Sequence, residues 1–235
     1  MDKRKGKFII FDGIDGSGKD TQVNFLSSRL KELGYQVVKI DFPQYGKKSA
    51  GLVEEYLNGK YGTAQEVGAK RASIFYACDR YDASFQIREW LNNGFIVISD
   101  RYVTANIGHQ GGKIKDRGER SEYFKWLYNL EYKLFGIPKP DITFILKTTP
   151  ELSVFLSGQP HHGEKKMKRQ LYLVDKEQDM HEQDTSHQRD ALESYLQVAE
   201  EYPDEYIIID CMDSGELLGP QAIHKLIFEK VQKIL

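Results

Sequence analysis

The sequence predicts a wound α/β fold in three layers, a five-stranded parallel sheet with helices on both faces. Three observations carry that expectation. Five short apolar runs, Phe8 to Phe11, Val37 to Ile40, Phe95 to Ile98, Ile142 to Leu146 and Tyr206 to Ile209, are continuous rather than alternating, as strands buried on both faces are. Segments of helical periodicity separate them, so successive strands are joined by crossovers rather than hairpins. The first run opens directly into a glycine-rich stretch, Gly13 to Thr21, at the strand-to-helix junction where wound sheets bind ligands.

That stretch reads Gly-Ile-Asp-Gly-Ser-Gly-Lys-Asp-Thr and has the Gly-x4-Gly-Lys spacing of a P-loop. Gly13, Gly16 and Gly18 let successive backbone N–H groups turn inward around oxygen anions, Lys19 adds a positive charge, and a helix N-terminus follows. The expected contacts to a nucleoside triphosphate are Gly13, Ile14, Asp15, Gly16, Ser17, Gly18, Lys19, Asp20 and Thr21. The fold expectation thereby narrows to the P-loop NTPase type. One position departs from the pattern. The residue after the lysine is ordinarily Ser or Thr, whose hydroxyl ligates Mg²⁺; here it is Asp20, and Thr21 comes one place late. A carboxylate can ligate Mg²⁺ directly, yet without the metal it faces a polyanion, and two like charges about 4 Å apart repel by roughly 4 kcal/mol at an effective dielectric of about 20.

The first helix is expected from about Asp20 to Leu33, with Val23, Leu26, Leu30 and Leu33 on one face and Gly34 ending it. Residues Ala64 to Asn92 predict one extended helix, closed by Gly94 and carrying Phe75, Tyr76, Arg80 and Tyr81 near its middle. The third strand ends in Ile-Ser-Asp-Arg-Tyr, residues 98 to 102, at the ligand-binding edge of the sheet. There Asp100 can hold Mg²⁺ through water or orient Lys19, and Arg101 can fork onto a phosphate. A second aromatic helix, Ser121 to Phe135, directs Phe124, Leu127, Leu134 and Phe135 to the core or to a subunit contact. Residues 159 to 190 are dense in charge and hold four of the six histidines, His161, His162, His181 and His187, without a metal-ligand spacing. The cluster Lys165, Lys166, Lys168 and Arg169 reads either as a solvated loop or as a lid, inserted at about 159–182, that swings over a triphosphate. A helix from about Gln183 to Tyr202, with Leu192, Tyr195, Leu196 and Ala199 on one side, is stopped by Pro203, and a last helix runs from Gln221 to Ile234.

Composition sets the class of partner. At 235 residues, 40% hydrophobic and 29% charged, the chain forms one domain, residues 1–235, with a single sizeable core. A net charge of −2 gives no concentrated basic face for a nucleic-acid polymer, whereas a small phosphorylated ligand needs only local positive charge. Cys78 and Cys211 lie far apart and read as reduced thiols of a cytoplasmic protein. No run of about 18 apolar residues predicts a membrane span, and the basic start MDKRKGK meets the first strand too soon for a signal sequence.

Together these motifs resemble the thymidylate kinases, P-loop nucleoside monophosphate kinases. Residues 11 to 22, Phe-Asp-Gly-Ile-Asp-Gly-Ser-Gly-Lys-Asp-Thr-Gln, are similar to their Phe-Glu-Gly-x-Asp-Gly-x-Gly-Lys-[Ser/Thr]-Thr-Gln signature. Asp-Phe-Pro at 41 to 43, Asp79-Arg80 in the long helix and Asp100-Arg101-Tyr102 follow in family order across nearly the whole chain. The resemblance implies transfer of a phosphoryl group from ATP to dTMP, with Mg²⁺, by a homodimer. It assigns Asp15 to the sugar 3′-hydroxyl, Phe42 to the substrate loop, Tyr76 to stacking on the base and Arg80 to thymine O4. It assigns Arg101 to the monophosphate and Asn106 to the base edge, and sets Tyr102 and His109 against the 2′ position. Lys19, Asp15, Arg101 and Arg169 are the implied catalytic set, Arg169 because Gly16 stands where other members carry a P-loop arginine. Asp20 and Asp100 are the implied metal ligands. Tyr45 departs from the family, standing where many members have a phosphate-touching arginine. Two other readings stay open: a kinase for a different nucleotide or nucleoside, and a nucleotide-binding protein with impaired turnover.

Overall fold

The computed structural model describes residues 6–157 and 185–235. The proposed lid insertion, with Arg169, His161, His162 and His181, lies outside the described residues.

Among the described residues, β1 (Lys7–Asp12), β2 (Val37–Asp41), β3 (Ile96–Asp100), β4 (Ile142–Lys147) and β5 (Tyr206–Asp210) form one parallel sheet in the order β2-β3-β1-β4-β5. The helices are α1 (Lys19–Glu32), α2 (Gly51–Leu57), α3 (Ala64–Asn92), α4 (Val103–His109), α5 (Arg117–Tyr128), α6 (Pro150–Ser157), α7 (Thr185–Glu201) and α8 (Pro220–Val231). A two-stranded ribbon, β6 (Met212–Asp213) and β7 (Glu216–Leu217), follows β5. The central strand is β1, where Phe11 stands level with Asp100 of β3 and Phe144 of β4. The strands therefore end together, and the glycine-rich loop leaves β1 at that common edge.

Side chains of one strand alternate between two cores because the strand period is two. Phe8 and Ile10 of β1 face a cluster with Ala83 and Ile87 of α3, Ile107 of α4, Phe124 of α5 and Tyr195 of α7. Ile9 and Phe11 face the opposite one, with Val23, Leu26 and Leu30 of α1 and Ile223, Ile227 and Val231 of α8. Each such fully buried side chain contributes about 1.5–3 kcal/mol. A third, smaller cluster of Val53, Tyr56, Leu57, Val67 and Ala72 seats α2 on the start of α3.

Three expectations need correction. Leu33 falls just beyond α1 and is 46% exposed, because Gly34 turns the chain at φ 85° before that face completes another turn. The long helix has its expected ends and a Thr63/Glu66 capping box, but Gly68 is non-helical at φ 72°, so it is two helical pieces joined at a kink. The aromatic helix starts earlier, at Arg117, where Asp116 caps it by accepting from the Glu119 N–H, and after Tyr128 it widens into a π-helical turn, Asn129–Leu134. Phe124 and Leu127 are core residues; Leu134 is 72% exposed.

The seam between α4 and α7 depends on glycine. A Cβ on Gly108 would lie 2.1 Å from the Tyr195 ring, and one on Gly112 would lie 2.9 Å from the Ala191 nitrogen. Only residues without a side chain allow the two segments to approach so closely.

Candidate functional site

The loop after β1 is a phosphate cradle with its lysine folded into it. Gly16 and Gly18 adopt φ 78° and 85°, left-handed values that a side chain would strain. Lys19 Nζ donates to Gly13 O at 3.1 Å, Ile14 O at 2.8 Å and Ser17 Oγ at 3.3 Å. Burial, helped by the neighbouring Arg101 charge, lowers the Lys19 pKa to about 8 against the opposing pull of Asp100, Asp15 and Asp12. Ile14 joins the loop through its backbone alone; its side chain is in the core. Asp20 and Thr21 are exposed on the first turn of α1. Asp20 Oδ2 accepts from Asn24 Nδ2 at 3.2 Å, and Asn24 Oδ1 accepts from Lys39 Nζ at 2.7 Å.

A cleft adjoins this loop and brings together most of the expected substrate residues: Asp15, Phe42, Tyr76, Arg80, Arg101, Asn106 and His109. Each wall has a local cause. Asp79 of α3 anchors the loop after β2, accepting from the Gln44 N–H at 2.8 Å and from Ser49 Oγ at 2.7 Å, and so seats Phe42. Arg101 has φ 68°, a left-handed value uncommon outside glycine. Its N–H bonds Phe11 O at 2.8 Å, and Ser99 Oγ donates to its carbonyl at 2.6 Å, so β1 and the end of β3 hold this turn. Its guanidinium pairs with the Asp15 carboxylate, donates from Nη1 to His109 Nε2 at 2.6 Å, and lies 3.7 Å from Asp12 Oδ1.

Electrostatics follows from that geometry. Burial is the largest single influence and works against charge on Asp15, but Arg101, His109, Lys19 and the Gln188 hydrogen bond together outweigh it and hold the carboxyl well below the usual carboxylate range. Burial and the Arg101 charge push His109 well below an ordinary histidine. Because guanidinium only donates, His109 Nε2 carries the lone pair, so the neutral ring has its proton on Nδ1, which faces His187 Nε2 at 3.4 Å. Asn106 Nδ2 donates to Ser73 O at 3.2 Å, and Tyr123 Oη donates to the Asn106 carbonyl at 3.1 Å.

Tyr102 is a correction. Its ring is fully buried against Phe8 and Phe42, its hydroxyl donates to Pro138 O at 3.1 Å, and it forms no wall of the cleft. The left-handed turn at Arg101 sends the following side chain into the core, leaving His109 alone of the two beside the expected sugar position.

Several residues that the motifs did not single out complete the site. Gln188 of α7 accepts from the Asp15 N–H at 3.1 Å and donates to Asp15 Oδ2 at 3.2 Å, while Ser153 Oγ of α6 donates to the Asp15 carbonyl. Tyr195 Oη donates to the fully buried Asp12 at 2.7 Å. Glu131, on the π turn, pairs with Arg80. Asp12 occupied a recognisable place, the acid just before the loop; the other four are found only through contacts between distant segments.

Comparison with known proteins places the chain in a family. The family model described as Thymidylate kinase matches residues 11–219. The thymidylate kinase of Caldanaerobacter subterraneus subsp. tengcongensis is 30% identical over 233 residues, covering 98% of this chain and 97% of that one. That of Thermoanaerobacter sp. strain X514 is 31% identical over 233 residues, with coverages of 98% and 100%. A solved thymidylate kinase from Candida albicans shares the fold at a TM-score of 0.71 and 23% identity, covering 97% of this chain and 92% of its own. A glycine-rich loop of P-loop spacing, a cleft beside it and a family match across both make one conclusion: the chain belongs to the thymidylate kinase family.

Proposed function

We propose that this chain transfers the γ-phosphoryl group of ATP to dTMP, giving dTDP for dTTP synthesis. The observation that carries the reading is one continuous site in which the cradle lysine and the acceptor arginine are joined through Asp15: Asp15 pairs with Arg101, and its charge acts on Lys19. Phosphoryl transfer needs alignment and neutralisation of charge rather than a covalent enzyme intermediate. In this reading the P-loop N–H groups and Lys19 hold the donor phosphates, Arg101 binds the 5′-phosphate and Asp15 accepts from the sugar 3′-hydroxyl. Tyr76 stacks on the base, with Phe42 and Asn106 beside it. Arg80, having no acceptor, suits a carbonyl at position 4 and rejects an amine. Arg169 in a lid at about 159–182 is our choice for the further cation that meets charge developing during transfer.

The donor set near the cradle suits Mg²⁺. Among the described residues no group of three or more His, Cys, Asp or Glu could form an all-protein cage. Mg²⁺ on a nucleotide, however, is ordinarily held by one or two carboxylates together with phosphate oxygens, and the two we assign are Asp100, whose charge acts on Lys19, and Asp20, which follows Lys19 on the first turn of α1. The ion would neutralise charge on the donor phosphates.

We read the active form as a cytoplasmic homodimer. Ile74, Tyr81 and Phe85 recur along α3 at 40%, 42% and 59% exposure, with Phe135 packed against the Tyr81 ring, an apolar face suited to a second copy. Both cysteines are free thiols, as a reducing compartment favours. No helix among the described residues is long and apolar enough to cross a membrane.

ADP release measured over a panel of nucleoside monophosphates tests the reaction. dTMP should be preferred, dUMP weaker by about 1 kcal/mol for want of the buried methyl, and dCMP poor. Equal turnover of dCMP and dTMP would sink the base assignment, and no ADP release with any monophosphate would sink the transfer.

A further inference from the structure

Arg80 is held from behind by a carboxylate that only the π turn brings there. Glu131 is fully buried. Its Oε1 accepts from Arg80 Nε at 3.0 Å and from Nη2 at 2.5 Å, while Tyr102 O accepts from Nη1 at 3.3 Å. Of the five guanidinium N–H groups, three are thereby committed, and the remaining two are on the Nη atoms at the tip. Arg80 lines the acceptor cleft with Phe42, Tyr76 and Asn106.

Two features set this pair apart from an ion pair kept for stability. First, both Arg80 donors converge on one oxygen, and Glu131 Oε2 has no hydrogen-bond partner among the described residues. A pair built for its own energy uses both oxygens in a parallel fork, and apolar replacement of a buried pair is often as stable or more so. Second, Glu131 is on a π-helical turn, an arrangement that is rare and occurs often at functional sites. Burial is the largest influence against charge on Arg80, and the charge and hydrogen bonds of Glu131, with smaller contributions from Tyr102 and Asp79, together outweigh it.

We infer that Glu131 is a specificity-positioning residue, which sets the rotation of the Arg80 fork so that its two uncommitted N–H groups meet a carbonyl at position 4 of a pyrimidine. The inference rests on the base reading proposed above. Glu131 touches no substrate, so its effect should appear in discrimination between bases and not in the transfer step.

The test uses the full chain and three monophosphates: dTMP, dCMP and the 5-methyl-2-pyrimidinone deoxyribonucleotide, which lacks the 4-oxo group. Glu131→Gln should raise the KM for dTMP by about tenfold with kcat within about threefold, and should lower the dTMP-over-dCMP ratio of kcat/KM by about tenfold. The KM for the analogue lacking the oxygen should stay within about twofold, since there is no carbonyl for the fork to lose. Glu131→Asp keeps the charge but withdraws it by one methylene; it should give the same pattern, and it carries the test if Glu131→Gln does not fold. The inference is overturned if a folded variant keeps the wild-type preference, or if the analogue loses as much as dTMP does. Indifference of the wild-type protein to the 4-oxo group is a separate result, which removes the thymine reading itself.

Discussion

Raising the pH above 8 should have opposite effects on the stability of the free protein and on its capture of ATP, both through Lys19. In the unfolded chain this lysine titrates at the ordinary value of 10.5; in the fold burial brings it to about 8. A difference of this size corresponds to about 3 kcal/mol disfavouring the ammonium form at pH 7. Since the folded pKa is the lower one, the unfolded chain binds the extra proton between pH 8 and 10.5, so stability rises with pH across that window and is flat in this respect below it. ATP capture runs the other way, because only the ammonium attracts the polyphosphate. Free-enzyme kcat/KM for ATP should therefore fall by about tenfold per pH unit above pH 8. The limb in kcat should lie higher, because bound phosphates favour the charged form. Chemical denaturation of wild type and Lys19→Met between pH 7 and 10.5 isolates the stability component, since the other groups cancel in the difference. That difference should shift in favour of wild type by about 3 kcal/mol as the pH rises. A pH-independent difference, together with a flat kcat/KM profile up to pH 9.5, would show that Lys19 is not held in its buried place and would refute the argument.

Asp20→Ser should raise affinity for metal-free ATP and soften the Mg²⁺ dependence, since like charges about 4 Å apart cost roughly 4 kcal/mol at an effective dielectric of about 20; titration with and without Mg²⁺ checks it, and an unchanged ratio would leave Asp20 to its bond with Asn24. Arg169→Ala should lower kcat with little change in dTMP affinity, read by steady-state kinetics beside calorimetry, because a lid cation acts after closure; unchanged kcat would remove the assignment. Tyr195→Phe deletes the hydroxyl that donates to the fully buried Asp12 at 2.7 Å, and should cost about 1–3 kcal/mol in denaturation. A loss near zero would mean that Asp12 takes up a proton or a water instead.

The sheet was legible because parallel strands announce themselves by continuous apolar runs, and each of the five begins and ends within two residues of its expected limits. The cradle was legible because its function depends on local spacing. Most of the cleft residues followed from short motifs for the same reason: Phe42, Arg80 and Arg101 each sit at the end or middle of a well-marked element. What resisted reading were contacts between segments far apart in the chain, such as Gln188 on Asp15, Tyr195 on Asp12 and Glu131 on Arg80. No periodicity reveals that a glutamate in an aromatic helix turns inward when the helix widens by one residue. Tyr102 was misplaced because its direction depends on a single left-handed residue before it, and arginine gives no sign of that conformation in the way glycine does.

The glycine seam has a consequence for the order in which the molecule can be completed during synthesis. Both sheet neighbours of β1 have been made once the chain reaches Lys147, so the cradle has its supporting strands early. Tyr195, which fits into the gap at Gly108, and Gln188, which braces Asp15, arrive only with α7. A nascent chain therefore presents a donor-phosphate loop before its acceptor cleft has a finished wall, and α7 must then dock without slack against a backbone already in place. Hydrogen exchange on chains stalled before α7 should find the amides of β1 protected and those of Asn106 to His109 still open.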